Sequence, residues 1–426
     1  MARRLSVLGL VVLGCLAIAE PAAAHAGSIN LSSEPAPIPE WVYALTGGAV
    51  VAISFLFTSL VTDPDLVHWL RGRERRITIP GNVPLAKLGS VIGVVGLILV
   101  LVTGIFGPPE PVANAAVLLI WAGWWAGFTM TTYLIGNTWP WLNPWRTVGR
   151  YVPTLSRRYP ARLGAWPAVL GLLTLVFVEV VTPLASAPQL LVGVVGVYSF
   201  LTLLGVAIVG EAWFENVDPL TRVFRYYGHL APLDWDDGLT IRPPSAALLR
   251  RDLLTGRDEI AFVVALLWAT TFDGLVSTPA GAVPIEALVE IGVPPLVAYA
   301  GYMLGGLAVF VGIFWLGAHA IREVARTYVT PLEIARRFAP TLLPIAAGYH
   351  LAHFLGYLLE LLPALATALV NPLQAPVSVP FLVIPGWFGG FELLFVVIGH
   401  VVAVWAAHGT AFDLFTGRLQ PIRSQY

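Results

Sequence analysis

Long apolar segments constrain this chain more than any other feature of its sequence. Nine of them follow the N-terminal region, at approximately 41–61, 88–106, 113–135, 164–183, 189–210, 260–276, 294–316, 341–367 and 390–408. A helix of about 20 apolar residues crosses a hydrocarbon core of roughly 30 Å. The composition agrees, with 57% hydrophobic and 12% charged residues. We therefore predict an all-α, polytopic helical membrane protein of the cell membrane, surrounded by the lipid bilayer and without a nucleic-acid partner.

The basic residues predict the orientation of these segments. Segments 62–87, 136–163, 211–259, 317–340 and 409–426 contain every Lys and Arg of the chain apart from Arg3 and Arg4. The intervening connections carry only acidic charges. Because Lys and Arg concentrate in cytoplasmic connections, the N-terminus is predicted outside and the C-terminus in the cytoplasm.

The N-terminus has the pattern of a cleaved secretory signal. Two arginines precede a short apolar run, and a series of small residues ends at Ala24. We predict a signal peptide over residues 1–24 and an extracytoplasmic tail over 25–40, which begins with His25. Cys15 is the only cysteine, so no disulfide can form within the chain.

The segments are predicted to form one transmembrane domain over residues 41–408. The only long polar connection, 211–259, lacks a periodic apolar pattern that would build a second core, so it is predicted as a cytoplasmic loop. Residues 409–426 are predicted as a cytoplasmic tail. Segment 368–388 is rich in proline yet apolar, which predicts a re-entrant or lid segment on the outer side.

A weak internal repeat follows the third and the fifth apolar segments. The two copies, GNTWPWLNPWRTVGRY and GEAWFENVDPLTRVFRY, share Gly, Trp, an Asn-Pro or Asp-Pro pair and Arg-Tyr. Asn143 and Asp218, each followed by proline, are predicted to cap new helices. The tryptophans, Trp139 and Trp213, are predicted to anchor the chain at the membrane interface.

Several of these motifs also resemble a known family. The resemblance rests on four stretches that occur in this order, PIPEWVYALTGGAVVAISFLFTSL behind HAG, GNTWPWLNPWRTVGR, TTFDGL and HLAHFLGY. They are similar to a family of mostly uncharacterised prokaryotic multi-pass membrane proteins, some members of which are labelled fenitrothion hydrolase. The resemblance covers most of the chain and implies the fold and hydrolysis of an organophosphate triester, but it carries over no catalytic residues.

Ionisable residues inside the apolar segments are the candidates for function, because a bilayer tolerates few of them. In the eighth segment His350, His353, Tyr357 and Glu360 follow at spacings of 3, 4 and 3, which places all four on one helix face. Other segments contribute further candidates, namely Glu179, Thr270, Asp273, Ser277, Glu392 and His400. We predict that these residues converge on one cavity that opens outward.

Imidazoles and carboxylates together predict a metal-dependent hydrolase. His350, His353 and His400 are the predicted ligands of a divalent zinc, manganese or iron ion. Asp273 and Glu360 are the predicted catalytic carboxylates, with Asp273 as ligand or base. Such a metal lowers the pKa of a bound water to about 7 and polarises a phosphoryl oxygen, so a small apolar ester is the predicted substrate.

Four alternatives stay open at this point. The buried polar residues serve only to hydrogen-bond neighbouring helices. The protein is a copper transporter, in which His25 chelates the ion outside. It is a b-type haem protein with His353 and His400 as axial ligands. Or it is a non-catalytic membrane subunit that works with a partner subunit.

Overall fold

The computed structural model describes residues 75–77, 82–235, 238–415 and 420–424. The predicted signal peptide, His25 and the apolar segment 41–61 lie outside the described residues.

The described chain is mostly helical, as the apolar pattern predicts. Its helices are α1 (Asn82–Phe106), α2 (Ala115–Leu134), α3 (Trp139–Leu142), α4 (Pro144–Gly149), α5 (Trp166–Val181), α6 (Pro188–Val209), α7 (Ala212–Asn216), α8 (Pro219–Gly228), α9 (Arg257–Val276), α10 (Pro279–Glu290), α11 (Pro295–Val324), α12 (Pro331–Phe338), α13 (Leu343–Val370), α14 (Gly389–Leu414) and α15 (Gln420–Arg423). Three short strands, β1 (Arg75–Ile77), β2 (Leu233–Asp234) and β3 (Leu239–Ile241), form an antiparallel sheet in the order β1-β3-β2.

Seven helical segments of the described chain are long and apolar enough to cross a membrane. They contain α1, α2, α6, α9, α11, α13 and α14 and correspond to seven of the predicted segments. The predicted segment 164–183 appears as α5, an apolar helix of 16 residues. Many apolar side chains of these helices point outward, for example Leu170, which is 67% exposed, and Phe200, which is 65% exposed. Such exposure is what a lipid-facing surface requires.

The connections between the long helices meet at two ends of the helix bundle. The connections 135–165, 210–256 and 325–342 lie at one end, which we call the basic end because it carries most of the described arginines. The connections 107–114, 182–187, 277–294 and 371–388 lie at the other end, which we call the acidic end. The segment 371–388 forms no α-helix, and Leu382 N–H donates a hydrogen bond to the backbone oxygen of Glu360 at 3.1 Å.

The long connection after α6 is folded, where the sequence predicts a loop. It forms α7, α8, β2 and β3, and three of its aromatic residues, Phe224, Tyr226 and Tyr227, are at most 1% exposed. Its elements are too short for a periodic apolar pattern to stand out, and their apolar sides are covered by the bundle rather than by a second core. The connection therefore extends the bundle at its basic end.

The two copies of the internal repeat meet at the basic end. Asn143 Oδ1 accepts a hydrogen bond from Arg146 N–H, and Asp218 Oδ1 accepts one from Leu220 N–H, which confirms both predicted helix caps. Thr221 of the second copy links the two, because its Oγ1 accepts a hydrogen bond from Asn143 Nδ2 of the first copy at 3.3 Å. The same hydroxyl donates to Asp218 Oδ2 of its own copy at 2.7 Å. Burial raises the pKa of the Asp218 carboxyl, and its hydrogen bonds from Tyr198 and Thr221 oppose that rise.

Replacing Thr221 by valine is expected to lower the free energy of unfolding by about 1–2 kcal/mol, because it leaves buried groups of both repeat copies without a hydrogen-bond partner. The Thr221 hydroxyl also accepts from Trp139 Nε1 at 3.2 Å. Thermal unfolding of the detergent-solubilised protein measures the change. Thr174→Val is the matched control, since the exposed Thr174 hydroxyl bonds only to a carbonyl of its own helix, that of Leu170. Equal stability of the two variants would contradict the network.

Helices α13 and α14 cross at two glycines. A Cβ added to Gly348 would lie 2.8 Å from the carbonyl oxygen of Phe395 and 2.9 Å from Gly399 Cα. One added to Gly399 would lie 2.6 Å from the carbonyl oxygen of Pro344. Any side chain at either position would therefore push the two backbones apart, and the glycines fix the position of α13 relative to α14.

Candidate functional site

A cavity of about 510 Å³ lies inside the bundle, between α1, α2, α5, α6, α9 and α13. Its volume falls in the range of small-molecule sites, which is roughly 300–1,000 Å³. The lining is almost wholly apolar, and nine aromatic residues form much of it, Trp121, Trp124, Trp125, Phe128, Trp139, Trp145, Tyr198, Tyr349 and Phe354. A cavity of this kind accepts an apolar molecule with few polar atoms.

Helix α2 supplies the aromatic wall through an unusual backbone. Residues Leu119–Phe128 form a π-helix of 10 residues, in which each turn is wider than in an α-helix. Four of its aromatic side chains, Trp121, Trp124, Trp125 and Phe128, line the cavity. Gly123 and Gly127 face α13, where Leu365 and Leu358 lie within 3.5 Å of the Cβ positions. The π-helix therefore packs closely against α13 on one side and presents aromatic rings to the cavity on the other.

The cavity extends between the two ends of the bundle. At the basic end it is bounded by the repeat, through Trp139 and Trp145 of the first copy and Leu220 and Val223 of the second. This position contradicts the interface anchor predicted for Trp139, whose ring is buried in protein with 3% exposure. Toward the acidic end the lining includes the polar residues Glu179, Thr270 and Asp273.

Glu179 and Asp273 lie at the same height along the long axis of the bundle. Helices α5 and α9 begin side by side, because the backbone N–H of Ala165 donates a hydrogen bond to Asp258 Oδ2. They then pack along each other in the same direction. Glu179 follows Ala165 by 14 residues and Asp273 follows Asp258 by 15 residues. At about 1.5 Å per residue, both carboxylates lie roughly 20 Å from the helix starts.

His350 of α13 connects this helix to two positions of α2 beside the cavity. Its Nε2 lies 3.1 Å from the carbonyl oxygen of Trp125, and its Nδ1 lies 3.1 Å from the hydroxyl of Tyr133. A carbonyl only accepts, so Nε2 carries the proton, and Nδ1 accepts from the hydroxyl. The imidazole is 1% exposed and contacts the rings of Trp125 and Phe354. Both of its nitrogens are therefore used to hold α13 against α2.

Tyrosines connect His350 with the folded connection at the basic end. The ring of Tyr133 lies 5.5 Å from that of Tyr227, edge to face, and Tyr227 lies 6.4 Å from the His350 imidazole. Burial raises the pKa of the Tyr227 hydroxyl well above its usual range, so this tyrosine is neutral at physiological pH.

The structure brings some of the predicted site residues together. Asp273 lies within electrostatic range of both Tyr349 and His350, and these three residues line the cavity. Tyr357 lies within range of Glu179 and Glu360. The predicted polar face of α13 is thus opposed by carboxylates of α5 and α9.

Other predicted residues lie outside the cavity lining. His353 stacks on Tyr349 with a ring separation of 5.8 Å, and Glu360 is 4% exposed beneath the segment 371–388. His400 Nδ1 bonds to the carbonyl oxygen of Val396, one turn earlier in its own helix, at 2.8 Å.

The predicted metal ligands do not form a coordination sphere in this geometry. Among the residues that the structure describes, no group of three or more His, Cys, Asp or Glu side chains is arranged to hold a metal ion. The imidazole of His350 is not free to bind a metal in this geometry, because a metal at either nitrogen would displace its hydrogen bond to Tyr133 or to Trp125. The metal and haem hypotheses stay predictions.

Sequence reasoning missed the aromatic wall and the role of Tyr133. The pair Trp124-Trp125 between Gly123 and Gly127 is the local signal, because small residues allow close packing while two large rings need space. No periodic pattern marks a π-helix, since the same residues suit an α-helix. Tyr133 follows two threonines near the end of α2 and carries no motif.

Comparison of the chain with models of protein families, with curated proteins and with solved structures gives no match.

Proposed function

We propose that this chain is an integral membrane protein that binds a small apolar molecule inside the bilayer. The observation that carries the proposal is the aromatic cavity of about 510 Å³, whose lining includes two carboxylates, Glu179 and Asp273, toward the acidic end. Apolar lining with a few placed polar groups is the usual composition of a small-molecule site. A structural role alone does not require so large a space, because protein interiors are otherwise closely packed.

The helices around the cavity favour access from the bilayer. Helices α5 and α6 both line it, yet α5 packs against α8, α9 and α11, whereas α6 packs against α1, α2 and α4. Within the described residues the two helices make few contacts with each other. An apolar molecule dissolved in the bilayer reaches the cavity by the side between α5 and α6.

Filling the cavity tests this function. Gly96 of α1 lines the cavity, and a Cβ added there meets no atom within 4 Å. Gly96→Leu therefore places an apolar side chain in the cavity without a backbone clash. The expected result is loss of saturable tryptophan quenching when a neutral aryl phosphotriester is added to the protein in lipid nanodiscs.

Gly193→Leu is the matched control for Gly96→Leu. Gly193 is exposed on α6, it does not line the cavity, and its Cβ position is equally open. This variant should retain saturable quenching. Equal quenching by both variants, or none by the unaltered protein, would overturn the proposed function.

Hydrolysis of the bound molecule is the second candidate function, and the place of Asp273 in the lining favours it. In this reaction Asp273 takes a proton from a water, the hydroxide adds to the phosphorus or carbonyl carbon, and the aryloxide leaves. Release of a nitrophenolate from the neutral triester, followed by its absorbance, measures the reaction. Activity that is lost in Asp273→Asn while binding persists would support it, and binding without any release would exclude it for this substrate.

We also propose the predicted topology of nine spans with the basic end in the cytoplasm. The excess of arginine at that end supports it. A fluorescent protein fused after Tyr426 should fold and fluoresce in the cytoplasm. A fusion that is silent there, but active when a periplasmic reporter replaces it, would refute this orientation.

A further inference from the structure

The charge of the cavity lining has one sign. Its ionisable residues include Glu179 and Asp273, and the described residues that line it include neither lysine nor arginine. His350 adds no charge in its neutral form, in which Nε2 donates to the Trp125 carbonyl and Nδ1 accepts from the Tyr133 hydroxyl. Charges interact more strongly inside a bilayer than in water, so the field at this end of the cavity favours a positively charged group and opposes an anion.

The rest of the lining also suits a cation with apolar substituents. Trp121, Trp124, Trp125, Trp139 and Trp145 contribute five indole rings. The face of an aromatic ring attracts a cation, and tryptophan does so most strongly. Indole rings also contact apolar groups over a large area. The two features act together only on a molecule that carries both a positive charge and apolar groups.

We propose that the ligand of this cavity is a lipophilic organic cation, such as a quaternary ammonium or phosphonium ion. Its charged centre lies toward Glu179 and Asp273, and its apolar groups lie among the tryptophans of α2, α3 and α4. This inference rests on the proposed function, since it names the class of molecule that the cavity binds.

Ions of equal shape and opposite charge test the inference in the unaltered protein. Tetraphenylphosphonium, tetraphenylborate and neutral tetraphenylmethane share one shape, so their difference in binding measures the preference for charge. Each is titrated into the protein in nanodiscs, and the tryptophan quenching that remains in Gly96→Leu is subtracted as partition into lipid. The phosphonium is expected to bind about tenfold or more tightly than the borate or the neutral compound.

The carboxylates are tested by amide variants. Asp273→Asn and Glu179→Gln are each expected to weaken phosphonium binding about tenfold and to leave binding of the neutral compound unchanged. Glu290→Gln is the matched control, because Glu290 is an exposed carboxylate of α10 outside the cavity lining. This control should bind the phosphonium as the unaltered protein does.

The possible outcomes separate the inference from the function on which it rests. Equal binding of the three compounds, or tighter binding of the borate, would overturn the inference and leave the apolar binding site intact. Absence of saturable binding for all three, together with the neutral triester, would overturn both. An amide variant that fails to fold changes neither conclusion, since the comparison of the three compounds does not use Asp273→Asn or Glu179→Gln.

Discussion

Replacing His350 by alanine is expected to lower the free energy of unfolding by about 3 kcal/mol. The imidazole is 1% exposed, so its removal leaves a void between α13 and α2. It also leaves the Tyr133 hydroxyl and the Trp125 carbonyl without the hydrogen bonds that they make to this residue. Thermal unfolding in detergent micelles, followed by tryptophan fluorescence, measures the loss.

His400→Ala is the matched control for this variant. Its imidazole bonds to a carbonyl of its own helix, that of Val396, and is only partly buried, so the expected loss is below about 1 kcal/mol. A metal centre predicts a different pattern, in which His350, His353 and His400 are equivalent. Stoichiometric zinc, manganese or iron in the purified protein, lost in all three alanine variants, would contradict the structural role that we assign to His350.

The long helices could be predicted from the sequence because their length and apolarity are local properties. A long apolar helix can be recognised from its own residues without knowing which other helices it packs against, because a bilayer would supply the apolar surroundings. The helix caps at Asn143 and Asp218 could also be predicted, because capping is a local interaction. In each cap the side-chain oxygen accepts from a backbone N–H no more than three residues further along the chain.

The polar face of α13 could be predicted, but its partners could not. The spacing of His350, Tyr357 and Glu360 alone puts them on one side, and all three are at most 5% exposed. That His350 meets a π-helical carbonyl depends on how α2 and α13 cross. Gly123 and Gly127 allow the close crossing of α2 and α13, and Gly348 and Gly399 allow that of α13 and α14. The effect of these glycines appears only when both helices of a pair are in place.

Trp139 shows how composition misled the prediction for the repeat. A tryptophan near an arginine at the end of an apolar segment is typical of a membrane interface. Here the chain turns back after α2, and the Trp139 indole packs against the rings of Phe128 and Phe224. The distances between ring centroids are 5.6 Å to Phe128 and 5.0 Å to Phe224. The turn lies between Leu134 and Trp139, where Asn137 Oδ1 accepts a hydrogen bond from Trp139 N–H, so the tryptophan begins α3 and lies inside.

Replacing Asp413 by alanine is expected to lower the free energy of unfolding by about 3–5 kcal/mol, because it leaves a buried guanidinium without its counter-charge. Asp413 Oδ2 lies 2.6 Å from Arg337, and both side chains are at most 5% exposed. Arg251, which is exposed, adds two further contacts at 3.1 Å. The group joins α12 and α14 to the connection before α9.

A double variant separates the cost of a lone charge from the value of the pair itself. Arg337→Met with Asp413→Leu removes both buried charges at similar volume, so stability should recover most of the loss seen in Asp413→Ala. Asp252→Ala is the exposed control, since Asp252 is 77% exposed and lies 3.6 Å from Arg250, and it should change stability by less than about 1 kcal/mol. If Asp413→Ala unfolds at the same temperature as Asp252→Ala, the buried pair does not hold the basic end together.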